Sequence, residues 1–90
     1  MIARRLVIRG RVQGVGFRYA FADEAQARSL NGWVRNRRDG SVEALVVGPE
    51  SEIEAIIAWA RRGPPAARVT EVTVEASCES AESFGIAPTA

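Results

Sequence analysis

Residues 32–48 read GWVRNRRDGSVEALVVG, and the fold follows from how this stretch divides. GWVRN (32–36) reads as a short strand and SVEALVV (41–47) as its return. RRDG (37–40) joins them, with Asp39-Gly40 a strong hairpin signal. A helix is expected on each side of the hairpin. Upstream, GFRYAFADEAQARSL (16–30) is rich in alanine, with Glu24 and Arg28 spaced i,i+4. Phe17, Ala20, Phe21 and Ala25 share one side of it, although Glu24 and Arg28 blur that stripe. Downstream, Gly48-Pro49 opens a second helix, and Ser51-x-x-Glu54 has capping-box spacing. Ile53, Ile56, Ile57 and Ala60 recur at i, i+3, i+4 and i+7, and Gly63-Pro64-Pro65 stops the pattern. Beyond the helices lie RRLVIRGRV (4–12) and RVTEVTVEA (68–76), both β-branched strands, with Val72, Val74 and Ala76 on one face. ESFGIAP (82–88) is a short final strand. The order is β-α-β-β-α-β plus a strand, which predicts an α+β ferredoxin-like two-layer sandwich with two helices on one face of a mostly antiparallel sheet.

Composition narrows the chemistry. Ninety residues suit a single domain spanning 1–90, since two separate cores would each be too small. All 12 basic residues are arginine, and the chain has no lysine and no histidine. That removes histidine and lysine general bases, Schiff bases and histidine-bound metals. Cys78 is the one cysteine, so it has no disulfide partner within the chain, a zinc site is not expected, and a structural role is. No apolar run approaches ~20 residues, and MIARR leads straight into a strand. Neither a membrane span nor a signal peptide is expected, and the cytoplasm is the default location. Residues 1–45 hold nine arginines against Asp23, Glu24, Asp39 and Glu43, a net +5. Residues 46–90 hold three arginines against seven glutamates, a net −4. This asymmetry suggests an anionic partner for the first half, with a solvated charged face as the plainer alternative.

GRVQGVGFR (10–18) gives the asymmetry a focus. Gly14 and Gly16 fall where a strand turns into a helix. Glycine permits positive φ and close backbone approach, and successive N–H groups in such a turn form an anion nest. A helix starting near Phe17 adds free amides and its positive dipole end, and Arg18 adds a charged fork. Together these parts suit a tetrahedral oxyanion such as phosphate. They match neither the nucleotide loop ending in Gly-Lys-Ser/Thr nor the three-glycine dinucleotide fingerprint. From the residues alone, a plain turn remains an alternative. A right-handed β-α-β crossover makes the first two strands parallel, which brings Arg18 and Asn36 to the same sheet edge. Asn36 faces the anion site from there, or is a turn asparagine before the hairpin.

The sequence resembles the acylphosphatase family. GRVQGVGFR matches the family's first signature through Arg18. GWVRNRRDGSVEALVVG matches the second, with Gly32, Trp33, Asn36, Gly40, Val42 and Gly48, and GPPAARVTEV is similar after the second helix. The resemblance implies hydrolysis of acyl phosphates to carboxylate and phosphate without metal or cofactor. It implies that the amides of Gln13, Gly14, Val15, Gly16, Phe17 and Arg18, with the Arg18 guanidinium, hold the phosphoryl group. It implies that Asn36 positions the attacking water. Ser29 stands where glycine commonly ends the first helix, and Arg28 where an apolar residue is common, which puts helix packing in question. Phosphoryl transfer with a carboxylate leaving group needs positioning and charge stabilisation rather than a general acid. The water's proton is then expected on the substrate's own phosphate oxygen.

A non-catalytic anion- or RNA-binding module on the same fold is the alternative. A sheet-face RNA reader needs exposed aromatics on its central strands, and RRLVIRGRV and SVEALVV have none, with Trp33 expected to pack. A relative of the acylphosphatase-like domain of larger carbamoyl-phosphate-using maturation proteins is a further alternative, against which the 90-residue length is set. A monomer is expected, with a small acyl phosphate as substrate, phosphate or sulfate as inhibitory anions, and neither nucleic acid nor membrane as partner.

Overall fold

All seven residues of β3 (Val42–Gly48) are buried, which makes it the spine of the molecule. The computed structural model describes Met1–Ala90. β3 is flanked by β1 (Ile2–Arg11) and β2 (Asn31–Asn36), both antiparallel to it. β4 (Arg68–Ser77) pairs antiparallel with β1, and β5 (Phe84–Ile86) pairs parallel with β2. The sheet order is β4-β1-β3-β2-β5. The helices α1 (Phe17–Ala27) and α2 (Glu50–Arg62) cover one face, so the expected two-layer sandwich is the observed fold. Leu6 and Ile8 of β1, Val34 of β2 and Val42, Ala44 and Val46 of β3 form the helix-side core with Phe17, Phe21, Ile53 and Ile56. Full burial of such side chains contributes ~1.5–3 kcal/mol each, the main driving force for the layer. Neither helix is long and apolar enough to cross a membrane.

The helices depart from their sequence patterns at identifiable residues. α1 stops at Ala27, three residues before the expected end. Ser29 takes a left-handed conformation, φ 56°. The Ser29 N–H donates to Gln26 O at 3.0 Å and the Leu30 N–H to Ala25 O at 2.9 Å. This is a Schellman ending with serine where glycine is usual. Arg28 closes the same end by bridging Glu24 at 2.8 Å and Glu52 of α2 at 3.2 Å. The buried stripe is Phe17, Phe21, Ala22 and Ala25, with Ala22 taking the place expected for Ala20. Phe17 and Phe21 lie against Trp59 of α2, with ring centroids 5.7 and 5.8 Å apart. The Ser51/Glu54 capping box does not form. α2 opens at Gly48-Pro49 as expected, with Pro49 as its N-cap and no side-chain cap bond. Pro49 O already accepts from the Glu52 and Ile53 N–H groups, and Glu50 and Glu52 supply first-turn acid.

β4 is an edge strand and is more exposed than its pattern suggested. Val72 packs on the core, but Val74 is 39% exposed and Ala76 is exposed too, so the expected apolar face is only partly covered. A bulge lies between Arg9↔Glu71 and Gly10↔Val69 and leaves Thr70 without a register partner. It turns Val69 as well as Val72 onto the core. β1 begins at Ile2 rather than Arg4, and β5 is three residues instead of seven.

The topology gathers six element ends at one pole of the sandwich: the C-termini of β1, β2 and α2 and the N-termini of α1, β3 and β4. Ile8↔Val42, Asn36↔Val42 and Arg11↔Arg68 fix this in the sheet. A Cβ on Gly63 would stand 3.0 Å from Phe17, which fixes it between the helices.

Candidate active site

Val12 leaves β1 and plugs the core at 1% exposure, and the next four residues form an open loop. Gly14 (φ 72°) and Gly16 (φ 77°) both lie in the left-handed region that favours glycine. A Cβ on either would meet nothing within 4 Å, so φ rather than crowding demands glycine there. The backbone N–H groups of Gln13, Gly14, Val15 and Gly16 donate to no acceptor in the chain, and neither do those of Phe17, Arg18 and Tyr19 in the first turn of α1. Gly16 is the N-cap, so no side chain serves these donors, and the first turn has no acidic residue.

Arg18 stands in that first turn, the end of a helix where positive charge is unfavourable. It pairs with no carboxylate, and the Tyr19 ring lies 5.8 Å from its Cζ. The surroundings share this character. Arg11, Arg38, Arg61, Arg62 and Arg68 also have no carboxylate partner and lie at the same pole; Arg4, near the start of β1, is the remaining unpaired arginine, and Arg5, Arg9, Arg28, Arg35 and Arg37 are paired. The sequence placed the charge imbalance between two halves of the chain. The fold gathers most of the unpaired charge at one end of the molecule, because α2 ends and β4 begins at that pole with three arginines from the second half.

Asn36 is the last residue of β2, opposite Val42 in the ladder and on the helix-side face with Val34. It is therefore a strand residue, and the turn-asparagine alternative does not hold. The turn is closed by Arg37 N–H to Ser41 O at 2.8 Å and by Asp39, which accepts from the Ser41 hydroxyl at 2.6 Å and its N–H at 2.9 Å. These bonds hold the Asp39 carboxyl below its ordinary range, with Arg37 and Arg9 adding smaller contributions. Asn36 Oδ1 is the one buried side-chain polar atom in the protein with no hydrogen-bond partner. An unmet buried acceptor costs ~1–3 kcal/mol, so its persistence asks for an explanation.

The loop and the hairpin are joined by Gln13. Its Nε2 donates to Arg37 O at 2.7 Å and to Ser41 O at 2.9 Å. A second support comes from the chain's last residues. The Ala90 N–H donates to Asn36 O at 3.0 Å, and the Arg38 N–H donates to Ala90 O at 2.8 Å. Neither contact was visible in the sequence, since all acceptors are main-chain carbonyls and Pro88 marks the tail as a broken strand. The carboxylates of this half are largely committed elsewhere: Glu24 to Arg28, and Glu43 to Arg35 at 2.8 Å and Arg5 at 3.7 Å on the opposite sheet face. No three histidine, cysteine, aspartate or glutamate side chains are grouped as a metal site would need.

The acylphosphatase family profile matches residues 4–86, which include the loop, the hairpin and both helices. The chain belongs to the acylphosphatase family. An acylphosphatase of Azoarcus sp. (strain BH72) is 53% identical over 90 residues, spanning 99% of this chain and 92% of its own. The crystal structure of acylphosphatase from Bacillus subtilis superposes with a TM-score of 0.92 at 42% identity, covering 97% of this chain and 99% of that one. Full-length HypF, in its phosphate- and nucleotide-bound form, superposes with a TM-score of 0.89 at 34% identity, over 98% of this chain but 12% of HypF. The activity is accordingly that of an acylphosphatase, which hydrolyses the carboxyl–phosphate bond of a small acyl phosphate.

Proposed function

We propose that the N–H groups of Gln13 to Arg18 and the Arg18 guanidinium hold the phosphoryl group, and that Asn36 orients the water that attacks it. The observation that carries this reading is the run of unused N–H donors ending in an unpaired guanidinium. Such a cradle is preorganised for the charge that grows on the phosphoryl oxygens in the transition state. The water oxygen bonds to phosphorus as the phosphorus–carboxylate bond breaks. The carboxylate leaves unprotonated, and the water's proton passes to a phosphate oxygen, so no side chain need titrate. Asn36 orients that water with its accessible Nδ2, which donates to the water oxygen, while Oδ1 is closed to solvent.

Neither metal nor cofactor enters this scheme. A monomer in the cytoplasm, inhibited by phosphate or sulfate and bound to neither nucleic acid nor membrane, completes the proposal. The alternative of an RNA-binding sheet is disfavoured because Trp33 is covered by the Arg35 guanidinium, 4.5 Å from its ring. The test is hydrolysis of acetyl phosphate and benzoyl phosphate after exhaustive EDTA treatment, with inorganic phosphate added. Full activity and competitive inhibition are expected. Activity lost to EDTA and restored by Mg²⁺, or noncompetitive inhibition, would remove the anion cradle from the mechanism.

A further inference from the structure

We infer that the side chain of Gln13 is a positioning residue that sets the distance between the phosphoryl cradle and Asn36. This inference rests on the proposed roles of the loop and of Asn36. Its carboxamide spends both hydrogens on the two carbonyls at the mouth of the hairpin, Arg37 O at 2.7 Å and Ser41 O at 2.9 Å. Arg37 directly follows Asn36. No other residue from Gln13 to Arg18 makes a hydrogen bond, by side chain or main chain, to the hairpin. The cradle and the water site are thus separate pieces of chain with one polar strut between them.

The hairpin does not need that strut to close. Arg37 N–H to Ser41 O, Gly40 N–H to Arg37 O at 3.1 Å, the Asp39–Ser41 pair and the Ala90 contacts already do so. What the two extra bonds fix is the spacing across the site. In-line attack depends on that spacing, and a misplacement of ~1 Å costs on the order of 10² in rate. Glutamine suits the task because both partners are acceptors. A carboxylate offers them no hydrogen, and asparagine is one methylene shorter.

The test uses Gln13→Met, which keeps the length and the backbone N–H but has no donor. The turnover number is expected to fall by roughly 10–100-fold, with the phosphate inhibition constant within about threefold of wild type. In an Asn36→Ala background the same substitution should cost little more, because the residue it positions is gone. Gln13→Glu supplies a second readout. Its turnover relative to wild type should recover as pH falls from about 7 to about 4, through the ordinary glutamate range, where the protonated carboxyl regains one donor. Near-normal turnover by a folded Gln13→Met protein would overturn the inference. So would a loss of the same size in both backgrounds, a rise in the phosphate constant matching the loss of turnover, or a flat pH ratio for Gln13→Glu. Failure of the cradle itself would show separately, as noncompetitive phosphate inhibition of the wild type.

Discussion

Arg18 and Arg28 sit at opposite ends of α1, and only Arg28 has a carboxylate to hold. It grips Glu24 at 2.8 Å and Glu52 at 3.2 Å, near the negative end of the helix, where a cation is favoured. Arg18 occupies the positive end with no carboxylate partner. Their substitution should therefore split activity from stability. Arg18→Gln is expected to lower turnover by ~10²–10³ and weaken phosphate inhibition, while the melting temperature stays level or rises. Arg28→Gln should leave turnover intact and cost about 0.5–1 kcal/mol, the range for a partly exposed ion-pair network. Acyl phosphate kinetics and thermal melts on both variants check this. Near-normal hydrolysis by Arg18→Gln would remove it from the site.

Asn36→Ala should abolish most turnover and leave competitive phosphate binding largely intact, since its contact belongs to the attacking water rather than the bound anion. Its melting temperature should hold, because the side chain's buried oxygen has no bond to lose. A folded Asn36→Ala protein that retains most of its turnover would leave the proposed water without an anchor.

The glycines of the two signatures should fail in different ways. A Cβ on Gly32 would collide with Leu45 O across the β2–β3 ladder, so Gly32→Ala should unfold or severely destabilise the protein. Gly14→Val and Gly16→Val meet open space and pay chiefly for their positive φ, ~1–2 kcal/mol each. Their larger effect is expected on phosphate inhibition, through the altered cradle. Circular dichroism together with the phosphate inhibition constant separates the two outcomes.

Ser29→Gly should stabilise the protein by about 0.5–1 kcal/mol, because the left-handed ending of α1 strains any residue with a Cβ. In a chain this small the melting temperature should rise by a few degrees. Ser29→Val, β-branched at the same φ, should move it down, and equal melting temperatures for the two would contradict the strain.

The Asp39 carboxyl is lowered from its usual range, first by the Ser41 hydroxyl, then by the Ser41 N–H and the nearby arginines. A depressed carboxylate stabilises the fold at pH values above its unfolded pKa, ~3.9, and loses that contribution as pH falls through the lower folded value. The hairpin bonds should thus be intact at neutral pH and loosen only below about pH 4. An NMR titration following the Asp39 carboxyl and the Ser41 amide checks this. A midpoint above about 4 would reverse the sign.

The hairpin, the helix order and the glycine loop could be read from sequence because each depends on neighbours in the chain: Asp39-Gly40, the Ile53/Ile56/Ala60 spacing, Gly14 and Gly16. Arg18 stands out by its place at the end of that loop, whereas Asn36 is singled out by the family resemblance and not by its neighbours. What stayed hidden involves partners far apart or without side-chain identity. The Thr70 bulge depends on Gly10, sixty residues away, and brings Val69 onto the core. The Gln13 strut ends on carbonyls that any residue at 37 and 41 would supply. The missing Ser51 cap follows from Pro49, whose main-chain carbonyl already takes the Glu52 and Ile53 N–H groups.

The pairing of β1 with β4 governs when the site comes into being. β1 is synthesised first, yet Ala3 pairs with Ser77, and Arg11 with Arg68. On the ribosome the strand that leads into the anion loop waits through most of the chain for its outer neighbour. Such long-range closure slows folding relative to a chain whose contacts are local. Until then the apolar side chains of β1 stand beside an open edge, and a stalled or shortened chain would expose them to other chains rather than hydrolyse anything.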